Sequence, residues 1–138
     1  MKRYIIGIFL LFALFTSCGK EENYIPEIAV NFSTLLTDPR LAGLSSGNKA
    51  IIINGYGVAG LILYRRTDGK YLAYDRCSTV NPQNKCALTA DDIGFTVTDP
   101  CTGAKFLLED GSPAKAPAEK YLKQYNVAIS NNTIAVRN

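Results

Sequence analysis

The sequence predicts an all-β fold, on three observations. Eight Tyr and six Phe stand among abundant Ile, Val and Thr, the residue types that fit a pleated, half-buried surface. Apolar residues recur with a period of two along short segments, and Gly, Asn and Asp pairs of the turn-forming kind bound those segments. Helical patterning is scarce, and neither internal repeats nor low-complexity tracts occur. A chain of 138 residues has room for one ordinary domain. Roughly 110 residues, left after removal of a leader, still bury a single-layered core.

The leader comes first in order. Met1-Lys2-Arg3 is a short basic start, and Tyr4 to Phe15 is an apolar run too short to span a bilayer comfortably. That is the pattern of a secretory signal. It ends in Phe15-Thr16-Ser17-Cys18-Gly19, which looks like a bacterial lipobox: a bulky residue, two small ones, then the cysteine to be acylated. Residues 1–17 are therefore expected to be a lipoprotein signal peptide, with Cys18 lipidated (palmitate included) as the membrane anchor. Residues 18–26 are expected to be a tether. The alternatives are a cleaved signal with an incidental Cys18, or an uncleaved anchor. Lys20-Glu21-Glu22 resembles the surface-export signal of lipoproteins of the Bacteroidetes type. The expected address is that of an exported outer membrane lipoprotein, on the periplasmic side or the cell surface.

Beyond the tether, Ile28, Val30 and Phe32 alternate with Ala29, Asn31 and Ser33, as in a half-buried strand. Asp38-Pro39-Arg40-Leu41-Ala42-Gly43 can make one helical turn, with Asp38 as cap and Pro39 in the first position. Lys49 to Asn54 reads as a β-branched strand. Val58 to Arg66 reads as another, closed by an Asp68-Gly69 hairpin onto Tyr71–Tyr74. Between them, Gly55-Tyr56-Gly57-Val58-Ala59-Gly60 matches the dinucleotide fingerprint letter for letter, with Asp75 twenty residues downstream of Gly55. The fingerprint works only where a helix begins at its end and offers amides to a pyrophosphate. Strand-like Leu61-Ile62-Leu63-Tyr64 follows instead, so the expectation is a Gly-rich connection between strands.

From Asp75 the chain makes a long polar excursion to Cys86. A short strand (Ala87–Thr89), an acidic turn (Asp91, Asp92, Gly94) and a strand (Phe95–Thr98) lead to a second loop at Asp99. Phe106 to Leu108 forms a further short strand, followed by the Asp110-Gly111 turn and a proline arm containing Pro113 and Pro117. Tyr121 to Ile129 and Thr133 to Val136 pair across Asn131-Asn132, a two-residue hairpin turn.

Three of these stretches together resemble the Rieske iron–sulfur domain. Tyr71-Leu72-Ala73-Tyr74-Asp75-Arg76-Cys77 looks like the strand that delivers the first ligand cysteine. Pro100-Cys101-Thr102-Gly103-Ala104-Lys105-Phe106 is similar to the family's Cys-Pro-Cys-His-Gly-Ser-x-Phe. Glu109 to Ala118, then Leu122 to Val127, resemble its proline loop and closing strand. The likeness runs from about Ile28 to Arg137, and extends to Bacteroidetes lipoproteins that have already lost the ligand histidines. It implies small antiparallel sheets with two loop hairpins at a former cluster tip. The domain would span residues 27–138, with the former cluster-binding subdomain at about 76–108.

On this resemblance Cys77 falls on the first ligand position and Thr79 on the first histidine. Asp99 falls on the second ligand cysteine, Thr102 on the second histidine, and Cys101 on a cysteine of the family's disulfide. The chain has no histidine at all, whereas a Rieske centre needs two imidazoles beside two thiolates. The site is thus expected to be a degenerate iron–sulfur site with no cofactor and no metal. The alternative is electron transfer by a [2Fe-2S] cluster on non-standard ligands. A cluster or zinc on Cys77, Cys86, Cys101 and Asp99 lacks the short Cys-x2-Cys knuckles usual in such sites. Export would place the chain where cysteines pair, and with Cys18 acylated at most one intramolecular bridge can form. Family position implies Cys101 with Cys86 as its partner; Cys77–Cys101 is the rival pairing.

Composition excludes much else. Two of the fifteen basic residues, Lys2 and Arg3, lie in the leader, which leaves 13 against 12 acidic ones. No basic stripe of the kind nucleic acid requires is present. The missing histidines remove Ser-His-Asp and Cys-His nucleophiles, His zinc sites and the two-His facial triad. Asp91, Asp92, Asp99 and Glu109 could in principle supply a glycosidase pair, but read as solvated turn residues. The expected function is that of a non-enzymatic envelope lipoprotein whose Rieske-like domain serves as a scaffold or binding module. Its partners would be the membrane, through Cys18, and an envelope protein. Its exposed face would be the loop tips Thr79–Gln83 and Thr102–Ala104.

Overall fold

The computed structural model describes residues 24–47 and 49–138. The expected signal peptide, the expected anchor Cys18 and most of the expected tether lie outside the described residues.

Among the described residues, ten strands form two antiparallel sheets. The larger holds β1 (Asn31–Leu35), β2 (Ile51–Ile53), β3 (Leu61–Arg65), β4 (Tyr71–Asp75), β9 (Gln124–Ser130) and β10 (Thr133–Arg137). Their spatial order is β1-β10-β9-β4-β3-β2. The smaller holds β5 (Thr89–Ala90), β6 (Thr96–Thr98), β7 (Lys105–Leu107) and β8 (Pro113–Lys115), in that order. It is inserted between β4 and β9. The large sheet curls until its edges approach: Phe32 on β1 meets Tyr56, just beyond β2, edge to face at 5.2 Å between ring centroids.

The continuous apolar run Leu61-Ile62-Leu63-Tyr64 explains how the two sheets are joined. A strand with water on one face alternates apolar and polar residues; one buried on both faces does not. Side chains on β3 point alternately to opposite faces. Leu61 and Leu63 enter a core with Phe32, Leu44, Ile134 and Val136 inside the large sheet. Ile62 and Tyr64 enter a second core with Leu88, Val97, Phe106 and Leu108 of the smaller sheet. β4 does the same, with Ala73 in the first core and Tyr74 in the second. The chain therefore has two cores that share one wall.

Local signals at the turns behave as their chemistry dictates. Asp38 caps a 3-10 turn, Pro39–Leu41, by accepting from the Arg40 amide, and the turn leads into α1 (Ala42–Ser45). At Asp68-Gly69 the Arg66 amide donates to the Lys70 carbonyl and the Gly69 amide to the Arg66 carbonyl. Asn131 and Asn132 both take positive φ, 47° and 60°, as the β9–β10 turn requires.

Several expectations need correction. Ile28 does not belong to the first strand: β1 starts at Asn31 and Ile28 is exposed. Val58 and Ala59 belong to the turn before β3, not to the strand. The strand expected at Ala87–Thr89 is centred later, at β5, where Thr89 pairs with Thr98, and Ala87 makes an isolated bridge to Cys77. Tyr121 is exposed and precedes β9. The proline arm carries β8, an edge strand that the prolines concealed; Pro113 sits at its first residue, where a missing donor is tolerated. Finally, the expected tether already includes folded chain. Ile25 is buried, and the Pro26 carbonyl accepts from the buried ammonium of Lys123, which also pairs with Glu27.

The shared wall gives a direct stability test. Ile62→Ala removes a fully buried side chain from it and should cost about 2–5 kcal/mol. Ile129→Ala, on an exposed position of β9, should stay within about 0.5 kcal/mol of wild type. Urea unfolding midpoints of the two variants check the contrast.

Candidate functional site

The tip of the smaller lobe is built by three loops. The first, residues 76–88, leaves β4; its arms pair through Leu88 to Arg76 and Ser78 to Cys86 amide–carbonyl bonds, both 2.8 Å. A 3-10 turn, Pro82–Asn84, forms its outer end between Asn81 and Lys85, both with left-handed backbone. The second, residues 99–104, links β6 to β7 and closes with the Asp99 amide on the Ala104 carbonyl at 2.8 Å. The third, residues 116–123, runs from β8 to β9 through a cis Ala116–Pro117 bond.

The base of the first loop is organised by Asp75. Its carboxylate is fully buried and accepts from the Val58 amide (2.8 Å), the Cys77 amide (2.8 Å) and the Tyr125 hydroxyl (2.7 Å). The fingerprint-like Gly stretch thus wraps a carboxylate of its own chain. Gly57 has φ +62°, and a Cβ there would collide with the Asp75 carboxylate. Close approach needs glycine here as it does around a phosphate, with an internal anion in its place. No helix follows, as expected.

Two ties join the first loop to the second. Cys86 and Cys101 form a disulfide across 15 residues, with Cα atoms 6.3 Å apart; a loop of that length gives about 3 kcal/mol in the chain-entropy model. The rival Cys77–Cys101 pairing is thereby excluded. The second tie is polar. Asp99, fully buried, accepts from the Ser78 hydroxyl at 2.6 Å, the Thr102 hydroxyl at 2.8 Å and the Cys101 amide at 2.8 Å. Ser78 in turn accepts from the Val80 amide at 3.1 Å. The third loop is tied to the first by Thr79, whose hydroxyl donates to the Lys120 carbonyl at 3.1 Å. Sequence reasoning singled out neither Ser78 nor Asp75 for these roles. Asp75 stood out for its distance from a glycine and its place before the first ligand-matched cysteine, not as an acceptor, and Ser78 lay between two more conspicuous positions.

Cys77 is a free, fully buried thiol. Its sulfur lies 3.6 Å from the Ser78 carbonyl and 3.7 Å from that of Pro82, as a thiol donor would. Burial, then the charges of Asp75 and Asp99, push its pKa up to about 11. The four ligand-matched positions therefore offer a neutral thiol, two hydroxyls and a carboxylate with three donors already on it. That set does not fit a [2Fe-2S] centre, which needs thiolates on one iron and imidazoles on the other. Free electron pairs at Thr79 and Thr102 belong to neutral oxygens, poor donors to ferric iron.

Of the four acids considered as a glycosidase pair, Asp92 alone is the exposed turn residue expected. Asp99 is buried in the tie. Asp91 accepts from Thr96 (2.6 Å), Thr98 (2.6 Å) and Lys105 (2.7 Å). Burial alone would raise its pKa, but the hydrogen bonds from Lys105, Thr96 and Thr98 outweigh that and hold it low. Glu109 pairs with Arg66 at 2.9 Å. The loop tips also differ from expectation: Asn81, Gln83 and Thr102 are exposed, whereas Thr79, Pro82 and Ala104 are buried. Between the three loops lies a cavity of about 380 Å³, lined by Thr79, Val80, Asn81, Thr102, Pro117 and Glu119, with Lys120 beside them.

Comparison with solved structures agrees with this geometry. The chain is similar to the cyanobacterial plasma membrane Rieske protein of Synechocystis PCC 6803, with 21% identity and a TM-score of 0.57 over 81% of this chain and all of that one. It is similar to a ferredoxin of Sphingomonas yanoikuyae B1, with 20% identity and a TM-score of 0.50 over 67% of this chain and 86% of that one. It is also similar to the ferredoxin of carbazole 1,9a-dioxygenase from Nocardioides aromaticivorans IC177, with 14% identity and a TM-score of 0.50 over 80% and 97%. No family model matches the sequence, and no curated protein matches it. The fold is Rieske-like.

Two measurements probe the polar ties. Asp99→Ala leaves the buried Ser78 hydroxyl and the Cys101 amide without their acceptor and should cost about 2–3 kcal/mol. Ser78→Ala should cost less, and the double variant should fall short of the sum of the singles, because the two side chains share one interaction. At Asp91 the depressed pKa means stability that is fully present above the unfolded carboxyl value of about 3.9 and lost as pH falls through the folded value. The stability gap between wild type and Asp91→Asn should therefore narrow below about pH 4. A gap that widens in acid would contradict the bonding described.

Proposed function

We propose that this chain is an exported lipoprotein, anchored in the outer membrane through Cys18, whose Rieske-like domain holds no [2Fe-2S] cluster and works as a non-enzymatic scaffold or binding module. One observation carries the reading: the side chains at the ligand-matched positions are engaged with each other and with the backbone. Asp99 bonds Ser78 and Thr102, and Thr79 bonds the Lys120 carbonyl. A Rieske-type site instead keeps its donors for iron. The disulfide Cys86–Cys101 supports it further, since it holds the loops together without a metal.

The face offered to a partner is the three-loop tip. Asn81 and Glu119, which line the cavity between the loops, and Gln83 on the first loop are exposed there. A mixed polar rim of this kind suits contact with another envelope protein better than burial in lipid. The lipobox-like Phe15-Thr16-Ser17-Cys18 supports the membrane anchor and its export.

Protein purified without exposure to oxygen should be colourless, contain no stoichiometric iron and give no paramagnetic signal after reduction. Wild-type protein should incorporate labelled palmitate and Cys18→Ala should not. Two irons per chain with matching visible absorption would replace the scaffold reading with electron transfer. Continued labelling of the Cys18 variant would remove the anchor.

A further inference from the structure

At the tip, two cysteines outside the ligand-matched positions lie beside Asp99, which occupies one of those positions. The two sulfurs of the Cys86–Cys101 bridge and a carboxylate oxygen of Asp99 all lie within 4.8 Å of one another. We propose that reduction of this disulfide creates a divalent-metal site, suited to zinc, from Cys86, Cys101 and Asp99. The proposal goes beyond the scaffold reading and does not depend on it: Cys77 and Thr79 take no part, and the oxidised protein has no such site.

The geometry is close to what zinc needs. With metal–sulfur bonds of about 2.3 Å and metal–oxygen bonds of about 2.0–2.2 Å, a tetrahedral site spaces its donors roughly 3.3–3.8 Å apart. Once the sulfur–sulfur bond is broken, a small separation of the sulfurs and a small approach of the carboxylate reach that spacing. Two thiolates and a carboxylate, with water in the fourth position, make an open zinc site. Two soft sulfurs beside one hard oxygen favour zinc over magnesium or calcium.

Asp99 is not saturated by its hydrogen bonds. Its Oδ2 accepts from the Ser78 and Thr102 hydroxyls, and its Oδ1 accepts only the Cys101 amide. Oδ1 therefore keeps an acceptor position for a metal, while the outer hydrogen bonds fix the carboxylate as they do around established metal ligands. The loops also have reasons to stay in place when the bridge opens. The Ser78–Asp99 bond spans them, and the Ser78 amide remains on the Cys86 carbonyl. Cys101 is an exposed residue, and Cys86 a buried one, so a thiol reductant would approach the bridge from the Cys101 side.

The chemistry balances with a dithiol as reductant. Its two electrons break the sulfur–sulfur bond, the dithiol closes to its own cyclic disulfide, and its two protons pass to Cys86 and Cys101. The metal dication then replaces those two protons, which are released to solvent. The tip would thus exchange a covalent tie for a metal tie when the surroundings become reducing.

The test uses the full chain, reduced with a dithiol, freed of reductant under anaerobic conditions and titrated with cobalt as a spectroscopic stand-in for zinc. The expected result is one cobalt per chain with tetrahedral visible bands and a thiolate-to-cobalt charge-transfer band, both removed by one equivalent of zinc. Zinc should also protect Cys86 and Cys101 of the reduced wild type from alkylation, a readout that needs no variant. Oxidised protein should bind no cobalt, and Cys77→Ala should bind as wild type does. Asp99→Asn should weaken binding at least about tenfold. Absence of the cobalt bands after reduction, equal binding by the oxidised protein, unprotected Cys86 and Cys101, loss of binding in Cys77→Ala or full affinity in Asp99→Asn would each overturn the assignment.

Discussion

The double burial of β3 is the constraint on which the rest of the molecule depends. A strand with no water on either face must find apolar neighbours on both and ladder partners along both edges, since unpaired buried amides are costly. Leu61 and Leu63 take the large-sheet core, Ile62 and Tyr64 the small-sheet core, and β2 and β4 supply the ladders. Because β4 shares that wall, its end is fixed in space, and Asp75, Arg76 and Cys77 leave it from a rigid platform. The three-loop tip inherits its position from this arrangement.

At the tip, polar and covalent links keep loops without a core of their own in a single arrangement. A buried carboxylate is tolerable when several donors satisfy it. Asp99 has three, drawn from both loops. The same device operates one layer below, where Asp75 holds the glycine turn, the start of the first loop and Tyr125 together. Burial, then the hydrogen bond from its hydroxyl to Asp75, raises the Tyr125 pKa, so the phenol stays a donor throughout the physiological range.

The glycine turn shows how a motif can be present in its letters while its function lies elsewhere. Gly57 is needed because a side chain there would meet the Asp75 carboxylate, and Gly60, at φ +113°, because a Cβ would press on the Ile53 carbonyl at 3.0 Å. Both are close backbone approaches, the same physical need that places glycines around a pyrophosphate. Spacing records that need without recording what is approached.

The sequence by itself determined what local chemistry controls. Period-two patterning and the paired turns at Asp68-Gly69 and Asn131-Asn132 specify hairpins; Asp38-Pro39 specifies a capped turn; the Leu61–Tyr64 run specifies a strand where a dinucleotide site would need a helix. The absence of histidine rules out imidazole ligands in any fold, and resemblance supplied the Cys86–Cys101 pairing. Tertiary structure alone decided what depends on partners distant in the chain. β8 forms despite its proline because β7 offers an edge and Pro113 can sit where no donor is required. Ile25 is buried and Lys123 desolvated because two segments nearly a hundred residues apart meet. Asp99 and Ser78 became a tie only when two loops converged. Local sequence carries backbone preference and the polarity of a face, whereas a hydrogen bond between remote side chains exists only once the folded chain brings donor and acceptor together.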